Sequence, residues 1–76
     1  MKAYILVHTQ AMDTAETVSM MRTVKGVVAT DATFGPYDIV AQVEADTLDN
    51  IGRIVIREIR TLPGVADTLT CVAVNP

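Results

Sequence analysis

The local pattern most capable of chemistry in this chain is Gly35-Pro36-Tyr37-Asp38. Gly35 can take the positive φ of a turn and Pro36 fixes the φ that follows, so Tyr37 and Asp38 project from a rigid corner. Backbone N–H groups at such a corner, together with the Asp38 carboxylate, can hold the carboxylate and ammonium of a zwitterion. A well-made hairpin with no ligand is the plainer reading of the same residues. Thr68 and Thr70 stand two apart on one face of a strand, where hydroxyls can both donate to and accept from a polar ligand. Threonine is also favoured in strands for its β-branching, and propensity alone accounts for the pair as well.

Other reactive types are sparse. His8 is the only histidine and could serve as a general base at a strand end, although a lone histidine there more often serves as a surface or interface polar group. Cys71 lies mid-strand among apolar neighbours, which suits an inert buried thiol and not a nucleophile. Arg53, Arg57 and Arg60 share a helical stretch with Asp49 and Glu58, the pattern of a solvated, ion-paired face. The four methionines are scattered and read as packing. With one cysteine and one histidine there is neither an internal disulfide nor a structural zinc set. Gly-x-Ser-x-Gly, Walker, Gly-x-Gly-x-x-Gly and His-Glu-x-x-His patterns are absent. The expectation is a protein that is not an enzyme and needs no cofactor or metal.

A chain of 76 residues that is 50% hydrophobic, with a mean hydropathy of +0.34, carries much apolar matter for a thin core. Lacking disulfide and metal, a chain this short needs a partner subunit to hold it together. Net charge −3 with six Lys and Arg gives no footprint for direct contact with nucleic acid. No apolar run approaches the roughly 20 residues that span a bilayer, and the start lacks a cleavable signal layout. A cytoplasmic protein that neither crosses a membrane nor touches nucleic acid is expected.

The elements that must position these residues follow from periodicity. Lys2 to Thr9 alternates as a first strand. Met12 to Val24 changes to helical spacing through Ala15, Val18 and Met21, with Asp13 as N-cap, Glu16 completing a capping box and Gly26 as the stop. Val27 to Phe34 and Ile39 to Ala45 read as antiparallel strands joined through the Gly35–Asp38 turn. Asp46 or Thr47 caps a second helix in which Leu48, Ile51, Gly52, Val55, Ile59 and Leu62 form one buried stripe. Pro63-Gly64 ends it, and Val65 to Val74 forms a fourth strand. The order predicts one α+β domain, residues 1–76, of ferredoxin-like βαββαβ topology: a four-stranded antiparallel sheet with two helices on one face. The halves also repeat, since Arg22-Thr23-Val24-Lys25-Gly26-Val27 matches Arg60-Thr61-Leu62-Pro63-Gly64-Val65 at half the chain length. Duplication and a shared turn geometry both explain that match.

With helices on one side, the other sheet face is bare. If Ile5, Val7, Ile39, Ala41, Val43, Leu69, Cys71 and Ala73 point at the helices, the bare face carries Tyr4, Leu6, His8, Val40, Gln42, Thr68, Thr70, Val72 and Val74. That face is too apolar for water, and sheet-to-sheet dimerisation of the dimeric α/β barrel kind would cover it.

Phe34-Gly35-Pro36-Tyr37-Asp38-Ile39-Val40-Ala41, followed by Ile59 to Thr70 with its Leu62-Pro63-Gly64-Val65 segment, resembles the effector domain of the Lrp/AsnC transcription regulators, also called the RAM domain, over nearly the whole chain. The resemblance implies a sheet-to-sheet homodimer, rings of dimers, and an amino acid bound where dimers meet. It places Gly35, Tyr37 and Asp38 in that pocket, with Thr68 and Thr70 as weaker members. No helix-turn-helix precedes the first strand, so the likeness is to the stand-alone form of the domain. Three readings follow from this. The first is a sensor in which a small-molecule ligand, an amino acid, shifts the assembly equilibrium. A second is a small dimeric barrel enzyme of monooxygenase or isomerase type, which would need His8, Tyr4 or Asp38 to face a cavity inside the subunit. The third is a ligand-free adaptor that co-assembles with full-length Lrp/AsnC regulators.

Overall fold

The computed structural model describes residues 1–10 and 14–74. Strand β1 (Lys2–Thr9) buries Ala3, Ile5 and Val7 completely and leaves the alternate residues partly open, as a period of two requires. Helix α1 (Thr14–Met21) buries Thr17, Val18 and Met21. It ends earlier than its periodicity suggests, because the chain turns from Arg22 and reaches φ 98° at Gly26, a left-handed conformation that glycine adopts freely. The proposed Asp13 cap lies outside the described residues. Strands β2 (Val27–Ala32) and β3 (Ile39–Glu44) fall within their expected spans.

Helix α2 (Leu48–Arg53) starts at Thr47, whose side chain accepts the Asn50 N–H at 3.1 Å, so Thr47 and not Asp46 is the N-cap. One continuous α-helix is expected from there to Leu62. Instead Ile54–Ile59 is π-helical, and the Arg60 N–H reaches back five residues to Val55 O at 2.8 Å. The buried residues Ile51, Val55 and Ile59 recur every four positions. Residues four apart drift about 40° round an α-helix, and the wider π turn swings the row back over the core. Leu48, assigned to the same stripe, is 54% exposed, because it lies in the first turn beyond the core's edge.

Strand β4 (Val65–Val72) completes a sheet of order β2-β3-β1-β4, every neighbouring pair antiparallel. One apolar cluster joins Ala3, Ile5 and Val7 with Ile39, Ala41 and Val43 of β3 and with Val18, Met21, Ile51, Val55 and Ile59 of the helical segments. Both helices therefore cover the same sheet face. This is the ferredoxin-like α+β arrangement.

The facing of β4 differs from the expectation. Ile5 lies opposite Thr70 and Val7 opposite Thr68, whereas Leu69 lies opposite Leu6 and Cys71 opposite Tyr4. Directly opposed residues share a face. Thr68, Thr70 and Val72 thus stand on the helix side, and Leu69, Cys71 and Ala73 on the bare side. Cys71 is exposed, not buried. The reason is that the helices reach β3 and β1 but not this edge, and β4 supplies only its first residue, Val65, to the margin of the core. Burial imposes no side on β4, and pairing alone sets its register.

The internal repeat is structural. Gly26 and Gly64 have φ 98° and 88°. Val27 N–H bonds to Val24 O at 3.1 Å and Val65 N–H to Leu62 O at 3.3 Å. Met21 and Ile59, at matching positions, are both fully buried. Gly26 O accepts from Glu44 N–H beyond β3's core residues, and Gly64 O from Gln10 N–H just past β1, each at 2.8 Å.

Candidate functional site

The chain between β2 and β3 closes on itself at Thr33, whose N–H bonds to Asp38 O at 2.8 Å and whose Oγ1 donates to Tyr37 O at 2.7 Å. Asp38 N–H then donates to Val7 O at 2.9 Å, fixing the loop to the end of β1. Asp38 Oδ2 accepts the Thr9 N–H at 2.8 Å and the Thr9 hydroxyl at 3.2 Å. These bonds hold the Asp38 carboxyl below its usual range, the Thr9 N–H contributing most, since donors favour the charged form. Among the described residues, Asp38 Oδ1 and the N–H groups of Phe34, Gly35 and Tyr37 take no hydrogen bond.

The Tyr37 ring stacks on His8, with centroids 4.2 Å apart and planes at 13°. His8 Nδ1 lies 2.7 Å from Asp67 Oδ1, and Nε2 lies 2.6 Å from Pro36 O. His8 and Asp67 are directly opposed on β1 and β4. The histidine's pKa is raised above 6.5, first by the Pro36 carbonyl and then by the Asp67 side chain.

Tyr37 and Asp38 are therefore held at one corner, both half-buried, the ring folded back on His8 and the carboxylate on Thr9. Gly35 has φ 158° and open space where a Cβ would sit, so the corner does not depend on glycine for room. Thr68, half-buried, and Thr70, exposed, face the helix side of β4, away from the His8 cluster, and within a subunit they do not join it. Along the sequence His8 is a lone histidine, open to a general-base role or to that of a surface or interface polar group, and nothing there links it to Thr9 or Asp67. The signal lay in the β1–β4 register, where correct pairing opposes His8 to Asp67.

An open cleft of about 680 Å3 lies elsewhere, between the Gly26 turn and the second helical segment. Neither Tyr4, His8 nor Asp38 lines it. No set of metal-ligating side chains occurs among the described residues, and no helix among them is long and apolar enough to cross a membrane.

Residues 2–76 match the family model of the Lrp/AsnC ligand-binding domain. The chain belongs to that family. It is a ligand-binding domain of the kind that serves Lrp/AsnC regulators. No curated protein matches it by sequence. Among solved structures, a hypothetical protein from Pyrococcus horikoshii is 28% identical at TM-score 0.88, with 99% of this chain and 90% of that one covered. Escherichia coli AsnC superposes at TM-score 0.89 with 22% identity, over 99% of this chain but 52% of AsnC. A transcriptional regulator of Neisseria meningitidis, solved as an L-Met complex, superposes at TM-score 0.85 with 21% identity, over 97% of this chain and 49% of the regulator. At those two identities the likeness is one of fold, and this Lrp/AsnC domain spans about half the length of either protein.

Proposed function

We propose that residues 1–76 act as one cytoplasmic amino-acid sensor, with ligand held against the Tyr37–Asp38 corner where dimers meet and with occupancy linked to assembly. The observation that carries this reading is the corner itself. Among the described residues it offers one uncommitted carboxylate oxygen for an ammonium and three unbonded N–H groups for a carboxylate, all on a loop tied to the sheet through Thr33, Asp38 and Val7. The L-Met complex of the Neisseria relative supports an α-amino acid as the class of ligand. Phe34 is fully exposed at the tip of the same loop, an apolar ring suited to a neighbouring subunit. Thr68 and Thr70, on the other side of β4, would reach a ligand only from a second subunit, which is what a pocket between dimers requires.

The dimer would form through the bare sheet face. Tyr4, Leu6, Val40, Leu69 and Cys71 lie there side by side, with Lys2 and Glu44 at one end and His8 and Asp67 at the other. Each 100 Å2 of apolar area covered contributes about 2.5 kcal/mol before the costs of association. A ligand that touches two dimers binds the assembled state better and draws the equilibrium toward it. Calorimetry with the twenty L-amino acids, paired with mass measurement by light scattering, tests both halves. Heat with at least one amino acid and a concurrent rise in mass are expected; no heat and an unchanged mass reject the mechanism. The fold shared with half of AsnC favours a second role, co-assembly with full-length Lrp/AsnC regulators, which a mixed-oligomer pull-down would detect.

A further inference from the structure

We propose that His8 and Asp67 are positioning residues: the doubly protonated His8 ring clasps the Pro36 carbonyl and the Asp67 carboxylate, and so holds Pro36 and the stacked Tyr37 ring in the ligand-receiving arrangement beside Asp38 only while it is charged. The ligand half of this rests on the amino-acid-sensor reading; the clasp does not.

Both ring nitrogens meet oxygens at 2.6 and 2.7 Å. The Pro36 carbonyl can only accept, and so can an ionised Asp67 carboxylate. A neutral imidazole has a single N–H, so one of these contacts would set a nitrogen lone pair against an oxygen lone pair. Only the imidazolium satisfies both. Its surroundings favour the same state from every element that meets it: Asp67 on β4, Asp38 at the head of β3, and the Tyr37 ring face from the loop, against which a cation is attracted. The clasp joins three parts of the chain that are distant in sequence, namely β1, β4 and the 33–38 loop. The proton on His8 thereby decides whether the loop is held at Pro36 as well as through the bonds of Asp38 to Val7 and Thr9. With the folded pKa raised above 6.5, the clasp is fully present below that ordinary value and is lost as pH rises through the folded one.

His8 is the only histidine, so its ring Cε1–H resonance identifies itself in the full chain without a variant. In the ligand-free protein we expect it to titrate above 6.5, with the Tyr37 ring and amide signals moving at the same midpoint. Asp67→Asn should bring both midpoints down together. Titration at or below 6.5, or Tyr37 signals indifferent to the His8 proton, overturns the clasp, and the wild-type measurement alone decides this should the variant fold poorly. L-Methionine is the probe for the ligand half. Its affinity should fall several-fold across the His8 midpoint, and in Asp67→Asn the fall should move with that midpoint. Binding that ignores the midpoint refutes the positioning role. Should neither L-methionine nor any other amino acid give heat while His8 and Tyr37 titrate together, the sensor reading fails and the ligand half of the clasp fails with it.

Discussion

Asp38 commits one oxygen to Thr9 and, among the described residues, leaves the other unbonded, so a single side chain both builds the corner and stays available to a ligand. Its folded pKa is lowered by donors that the unfolded chain lacks. Its contribution to stability is therefore present above the ordinary carboxylate value and is lost as pH falls through the folded value. Asp38→Asn should be less stable than the parent at neutral pH, and the gap should close in acid; urea melts across that range measure it. Thr30 makes an opposite case. It is 3% exposed and its Oγ1 finds no partner among the described residues, while its carbonyl accepts from Arg22 Nη2 at 2.9 Å. Thr30→Val removes the orphan hydroxyl at nearly constant volume and should stabilise by about 1 kcal/mol, seen as a higher denaturation midpoint with an unchanged slope. The Gly-Pro-Tyr-Asp corner was legible as a string of turn formers. Its dependence on Thr9, His8 and Asp67 was not, because those residues arrive from other strands and only a register brings them near.

At the scale of elements, the chain's strands and turns follow directly from alternation and from Gly26, Asp38 and Pro63-Gly64. The π-helical run does not. Apolar residues at spacings of four suit an α-helix and a π-helix equally, and the choice between them is made by what Ile51, Val55 and Ile59 must touch. Gly26 shows how closely this segment is fitted, since a Cβ there would stand 2.6 Å from Ile54 Cδ1, on a backbone at φ 98°. Gly26→Ala carries both the left-handed strain and that contact, and should cost about 1–3 kcal/mol, measurable by chemical denaturation. Ile59→Ala, at a fully buried π-helical position, should cost about 2–5 kcal/mol.

For the whole molecule, the decisive feature is that the helices cover one sheet face and leave β4's edge uncovered. Alternation fixed the facing of β1 and β3, where burial enforces it, and failed on β4, where Leu69, Cys71 and Ala73 compete with Thr68, Thr70 and Val72 and nothing above the strand decides. Leu69 stands opposite Leu6 on the bare face. Leu69→Glu would place a charge in the middle of the bare face and should yield a monomer by light scattering, and the Cys71 thiol should react with a maleimide faster in that variant than in the parent. Ala73 N–H bonds to Lys2 O, and Val72 lies opposite Ala3, so the first and last described strands begin and end together, at the end of the sheet remote from His8 and Tyr37. From Lys2 to His8 along β1 is about 20 Å at 3.3 Å per residue. That end of the sheet is out of reach of a loop displaced at the corner, and would learn of the ligand only by which neighbours the subunit has been brought beside.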